Sequence, residues 1–250
     1  MLLYDLKRAV SWRWILISVA VLTVLTLAVR MDAIAEVLRQ NQLLAPGWCA
    51  GFLWEAWSGQ AMTFCVPVLC ALPAASSFID EYQTGMCRLA LGRTTRAGYL
   101  RSKAGTAALS GGLVIAAGLL ASAGIMWLLF RFMVSRELAA ESEVTLTMLL
   151  AAVARYAVFG ALGAVTGLTV STAVRNRYMA WLSPFMGEYL LIILCERYWE
   201  KALLLSPAEW LRGGENWPLE GWSCVLWMGL LCFLLMVVFC RLGGNFLKEL

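Results

Sequence analysis

Two ionisable residues interrupt otherwise uncharged apolar stretches of this 250-residue chain: Arg155 and Glu188. A charge inside such a run marks a functional site by default and calls for a partner. Arg155 follows Met148 by seven residues, and Glu188 precedes Cys195 by seven. At about 1.5 Å of rise per residue, both lie roughly 10 Å from the same end of two consecutive antiparallel helices. Equal depth predicts an intramembrane ion pair, which either fixes how the helices pack or contacts something in a cavity. Other chemistry is scarce. The chain has no histidine, which excludes a Ser-His-Asp triad, a His-Glu zinc protease and a haem on proximal histidine. Its cysteines (Cys49, Cys65, Cys70, Cys87, Cys195, Cys224, Cys232 and Cys240) form no Cys-x-x-Cys, so no metal framework is expected. Cys195 and Cys224 fall near one end of the spans, where an oxidising exterior would permit a disulfide. Neither a Gly-x-Ser-x-Gly elbow nor a Gly-x-x-x-x-Gly-Lys-Ser/Thr loop occurs, and Glu188 has no acidic companion for acid–base work. The chain is therefore expected to be no enzyme, with no catalytic residue and no metal.

A second stretch, from Phe78 to Lys103, carries chemistry of recognition. Met86, Leu89 and Tyr82 share one helical face, with Arg88 and Glu81 off it. This pattern predicts a short amphipathic helix lying against a membrane or a partner. Arg88, Arg93, Arg96, Arg101 and Lys103 then lead into an apolar run. A solvated basic loop, set only by membrane orientation, would explain those charges equally well.

The elements that must position these residues follow from composition. Hydrophobic residues are 61% and charged residues 14%, against roughly 45–50% and about 25% in soluble domains. A soluble enzyme with an ordinary charged surface is excluded. Spans are expected at about 14–29, 58–79, 106–130, 148–174, 178–195 and 222–240, each able to cross a bilayer as a helix. The chain reads as all-α, a single transmembrane domain over 1–250 with no room for a folded soluble domain. Lys7, Arg8 and Arg13 before an apolar run resemble a secretory signal, and Ala33-Ile34-Ala35 a cleavage site; five later spans favour an uncleaved first helix. Leu2, Leu3, Leu6 and Val10 against Asp5, Lys7 and Arg8 predict an interfacial helix over 2–14.

Charge sets the orientation. With the N-terminus inside, the inner segments hold 12 basic residues (Lys7, Arg8, Arg13, Arg88, Arg93, Arg96, Arg101, Lys103, Arg175, Arg177, Arg241, Lys248) against Asp5, Asp80, Glu81 and Glu249. The outer segments hold 7 basic and 11 acidic residues. N-in and C-in is expected, and the net charge of +4 is an orientation signal rather than a sign of nucleic-acid binding. Nine of the twelve tryptophans fall on or near the outer side, so the outer loops either dip into the interface or fold over the bundle. A piece such as 207–212 suits a short helix there. Gly163, Gly167 and Ser171 form a small-xxx-small stripe for helix packing, as do Ala104, Ala108, Gly112 and Ala116. Pro67, Pro73 and Pro184 are candidate kink sites.

The 78–103 stretch resembles the first cytoplasmic loop of the type-2 ATP-binding-cassette transporter permeases. Glu81, Gly85, Leu89, Leu91, Arg96, Tyr99, Leu100 and Lys103 follow that family's order. This chain has Thr84-Gly85 where the family often has Gly-Thr. The layout is also similar: an N-terminal elbow helix, six spans, about 250 residues, and a long outer loop with re-entrant helices before the last span. The resemblance implies the permease subunit of an exporter. A coupling helix between spans two and three would seat in a soluble ATPase subunit that binds ATP and Mg; this chain would need no cofactor. Glu81, Gly85, Arg88, Leu89, Leu91, Arg96, Tyr99 and Lys103 would serve that coupling. A second copy or related permease would complete the substrate path, in a multi-pass protein of a cell membrane, taken as a bacterial plasma membrane. A non-ATP-driven membrane protein, such as an immunity factor or a passive or secondary transporter, is the alternative. The lipid bilayer is a partner in either case, and nucleic acid in neither.

Overall fold

Within a bilayer the backbone finds no water to bond, so each apolar run closes its own hydrogen bonds as a helix. The computed structural model describes residues 12–40, 44–92, 94–134, 144–198, 203–212, 217 and 222–248. These form α1 (Trp12–Ala28), α2 (Met31–Gln40), α3 (Trp48–Trp57), α4 (Gln60–Ala71), α5 (Ser77–Gln83), α6 (Met86–Leu91), α7 (Arg96–Phe130), α8 (Leu146–Val174), α9 (Met179–Arg197), α10 (Pro207–Arg212) and α11 (Trp222–Phe246). A 3-10 turn covers Leu203–Leu205. No strand occurs among the described residues. The interfacial helix expected over 2–14 falls, up to residue 11, outside the described residues.

The chain is a helical membrane protein. Four helices, α7, α8, α9 and α11, are long and apolar enough to cross a membrane, and a fifth crossing arises if the bent pair α1–α2 counts as one. The run expected to be continuous over 58–79 is divided. Gly59 is extended (φ −69°, ψ 150°) before α4, which runs only from Gln60 to Ala71, about 18 Å, and a turn containing Pro73 separates it from α5. Pro73 brings no N–H to the turn, across which the Ala75 N–H still reaches the Ala71 carbonyl oxygen at 3.1 Å. The chain bends by 59° between Ala28 and Met31, at no proline; Arg30 in the break pairs with Glu55 of α3. α9 continues through Pro184, and α4 through Pro67.

α8 is the central post, packed against α7, α9, α11 and α4. Small residues set these distances. A methyl group at Gly111 of α7 would lie 2.6 Å from Ala164 Cβ and 2.7 Å from the Gly160 carbonyl oxygen of α8. At one end of the bundle the tryptophans are inside the fold. Trp57, Trp210 and Trp217 are buried, Trp48 packs edge-on to Phe130 at 5.3 Å, and the indoles of Trp210 and Trp227 both donate to the Leu204 carbonyl oxygen. The connecting segments thus fold over the bundle end, and 207–212 is the short helix expected there. Trp127 and Trp222 remain exposed, as an aromatic belt requires. Cys195 and Cys224 are both free thiols; the Cys224 Sγ donates to the Trp210 carbonyl oxygen at 3.4 Å.

Candidate functional site

The opposite end of the bundle carries the candidate site, built from α5, α6, the first two turns of α7 and the last turns of α11. The local fold follows from a few residues. Thr84 ends α5, its N–H and Oγ1 both bonding the Asp80 carbonyl oxygen at 3.1 and 2.8 Å. Gly85 then takes the left-handed conformation, φ +73°. A Cβ there would meet nothing within 4 Å, so the backbone torsion, and no lack of space, requires glycine. α6 follows at once. Thr95 caps α7, its Oγ1 accepting from the Gly98 N–H at 3.2 Å. The long helix therefore starts at Arg96, ten residues before the expected start of the span, and lifts Tyr99 and Lys103 onto a rigid element.

Glu81 is the hub. Its carboxylate accepts the Tyr99 hydroxyl at 2.6 Å on one oxygen and the Lys103 ammonium at 2.8 Å on the other. Lys103 is 2% exposed and the Glu81 side chain 15%. The Tyr99 hydroxyl also meets the Cys87 Sγ at 3.3 Å, which fastens α6 to α7. Around this knot Phe78 packs on Tyr99 and on Phe239 of α11, and Tyr82 packs on Phe246. Gly243 brings α11 close enough that a methyl group would lie 2.6 Å from Leu100 Cδ2.

The eight residues expected to serve coupling thus divide by direction. Glu81, Tyr99 and Lys103 meet in the interior, and Gly85 makes the turn between the short helices. Leu91 is half-buried against the cluster around Phe78 and Tyr99. Arg88, Leu89 and Arg96 point out, Leu89 being 72% exposed. Met86, one turn from Leu89, is also exposed. Tyr82 does not share that outer face but is stacked inward. Sequence reasoning missed the turn after α8: the Gln83 amide donates to the Arg175 carbonyl oxygen at 3.3 Å, and Arg177 lies 4.0 Å from Asp80. Arg175 holds φ +59° and stacks its guanidinium on Phe246. Its left-handed torsion, uncommon for a residue with a Cβ, has no signal in the sequence.

Burial pushes the Cys87 thiol above its ordinary value, against a smaller downward pull from the Tyr99 hydrogen bond. Cys87 has no exposed surface, so it should react far more slowly with a maleimide than Cys49, which is partly exposed near the bundle end. Peptide-resolved mass spectrometry after brief labelling measures this. Glu81→Gln, which weakens the hold on Lys103 and Tyr99, should raise Cys87 labelling severalfold.

Arg155 and Glu188 are not brought together. The packing register pairs Gly167 with Ala180 and Gly163 with Pro184, which sets residue 155 opposite residue 192. Side chains on a helix lean toward its N-terminus. On antiparallel α8 and α9 the two side chains therefore lean apart. Glu188 reaches Gly163, where a methyl group would lie 3.7 Å from its Oε1, and that glycine is eight residues, about 12 Å, along α8 from Arg155. Arg155 is 7% exposed. Its Nε and the Glu188 Oε2 are buried without a hydrogen-bond partner among the described residues. Equal counting from the span ends ignored both the register and the lean. The packing stripe sits in close contact: Gly163 against Cys70 and Pro184, Gly167 against Ala180 and Ala75, and the Ser171 hydroxyl bonded to the Ala75 carbonyl oxygen at 3.4 Å. No group of three or more metal-ligating side chains occurs among the described residues.

No protein-family model matches the chain, and no curated protein matches it.

Proposed function

We propose that this chain is the permease subunit of an ATP-binding-cassette exporter, with α6 as the helix through which a separate ATPase subunit drives it. The observation that carries this reading is the exposed pair Met86 and Leu89 on a six-residue helix that is itself anchored by a buried knot. A solvated loop has no need to tie its base through Glu81, Tyr99 and Lys103, and an apolar side chain held open to water by such an anchor suits a partner's cleft. The anchor also makes the helix a lever. A push on α6 passes through Cys87 and Tyr99 to α7, and through Phe78 to α11. Such an element can bias two states of the bundle.

In this reading the helices give six crossings with both termini inside. α1 with α2, and α3 to α5 through their breaks, supply the two that no single long helix makes. The division of basic and acidic residues between the two ends supports the orientation. ATP and Mg belong to the partner. A second permease has an apolar face to cover: α9 is the least buried of the four long helices, with Met186, Tyr189, Leu190 and Ile193 exposed.

The test is capture of a soluble ATPase with the detergent-extracted chain. Met86→Glu with Leu89→Glu should reduce capture at least about tenfold, as expected for loss of one contact hot spot. Thermal stability should stay unchanged, because neither side chain is in the core. Repeated isolation of the chain alone, or capture indifferent to the double variant, would overturn the assignment.

A further inference from the structure

The face of the bundle between α7 and α11 is grooved. Gly105, Ala108 and Gly112 on α7 and Gly229 on α11 carry too little side chain to fill it, and Ala157 and Ala161 of α8 form its floor. The groove has two sections, of about 450 Å³ and about 500 Å³, which share Phe233 and Met236. The described residues that line the first section are all apolar. The second ends at Arg101 and Arg241. Both arginines are exposed, and among the described residues neither makes an ion pair. Lys103, two residues from Arg101, is turned inward and neutralised by Glu81. Among the described residues, no acidic residue lines the groove.

Length and polarity together name an occupant. From Arg241 to Gly229 is twelve residues, about 18 Å of helix axis, and from Arg101 to Gly112 about 16 Å. Half of a hydrocarbon core about 30 Å thick is close to this. An apolar trough as deep as one leaflet, with a doubly cationic mouth at headgroup level, matches an amphiphile carrying one anion and a long chain. We propose that the groove holds one anionic phospholipid. Its phosphate lies between Arg101 and Arg241, and an acyl chain runs past Gly105, Ala108 and Gly112 to Gly229. A zwitterionic lipid would set its ammonium beside two guanidinium groups, with no carboxylate among the described lining residues to receive it. A free phosphate would leave the apolar trough uncovered. Residues 1–11, with Lys7 and Arg8 against Asp5 alone, do not complement a cationic mouth. The site is independent of the transport reading and needs no ATPase.

The experiment uses the full chain, purified alone. Native mass spectrometry compares retention of phosphatidylglycerol with that of phosphatidylcholine of the same acyl chains. The wild type should retain one phosphatidylglycerol with a preference of roughly tenfold or more, as two arginines beside an anionic headgroup imply. Arg101→Gln with Arg241→Gln should abolish the preference. Gly229→Phe, whose new side chain enters open space, should abolish tight retention of either lipid while leaving the arginines in place. A phosphatidylglycerol with a photoreactive acyl chain, used on the wild type, should label peptides spanning 101–116 and 229–241. This arm stands even if a variant fails to fold. Equal retention of the two lipids, preference surviving the double variant, labelling spread over all apolar faces, or displacement by inorganic phosphate would each overturn the proposal.

Discussion

Glu81→Ala is expected to destabilise the chain by about 3–5 kcal/mol, the cost of leaving a buried charge without its partner. The ammonium of Lys103 is almost wholly inside the protein, and Glu81 is the carboxylate that meets it. The same change strips the Tyr99 hydroxyl of its shorter bond and leaves it only Cys87. The melting midpoint, read as survival of monodisperse protein in detergent, should fall on the order of 10 °C. Replacing the charges together, Glu81→Leu with Lys103→Met, should recover most of that loss, because an apolar pair of similar volume asks for no compensation. A double variant as unstable as the single one would show that the carboxylate matters for something other than the ammonium. The contrast with Leu89 separates two roles within one loop. Leu89→Glu should cost under about 0.5 kcal/mol, as an exposed side chain does, yet weaken the proposed docking.

The second large effect lies where α8 meets α9. A Cβ on Gly167 would stand 2.2 Å from the Ala180 carbonyl oxygen and 3.2 Å from Ala75 Cβ. The obstacle is backbone, which has no rotamer to change, so Gly167→Ala must push the first turn of α9 away from the bundle. Overpacking costs about 1–3 kcal/mol and occasionally more, and this geometry puts the substitution at the upper end. Gly187→Ala on the same α9 meets nothing within 4 Å and should be neutral or stabilising by up to about 1 kcal/mol. Detergent survival of the two variants makes the comparison. Similar behaviour would mean that α9 yields at Ala180 without loss.

The helical class and the membrane setting were legible because they need only composition and run length. The stretch 78–103 was legible too, though for mixed reasons. Tyr99 and Lys103 stand 18 and 22 residues from Glu81, and no periodicity joins them; only a resemblance grouped the three, and it implied coupling. The structure places these three side chains inward, where they form the anchor, and leaves Met86 and Leu89 as the open face. The amphipathic pattern had singled out that open pair correctly. It misassigned Tyr82, because helical phase tells which residues share a side but not which side is covered.

The pairing of Arg155 with Glu188 shows where counting stops. Depth along a span is a one-dimensional quantity, and two residues at equal depth still need the right register and converging side chains. The register here is set by Gly163 and Gly167, which let α9 settle against α8 at one offset. The lean of each side chain toward its own N-terminus then carries the two charges apart. Likewise the run over 58–79 has the hydropathy of a single helix, yet Gly59 and the turn at Pro73 divide it, since backbone torsion is set locally while apolarity only says where the segment may lie.

The sequence by itself determined what depends on sums and local order: an all-helical membrane chain, its long apolar helices, a charge division between its ends, a short amphipathic helix, and stripes of small residues. The tertiary structure decided what depends on contact between distant segments. It turned Lys103 inward and left Arg101 outside, two residues away on one helix. It closed one small-residue stripe against α9 and left the other partly open as a groove. The physical reason is that burial, pairing and cavity shape belong to the packed bundle, where a single glycine or the lean of a side chain decides which groups meet.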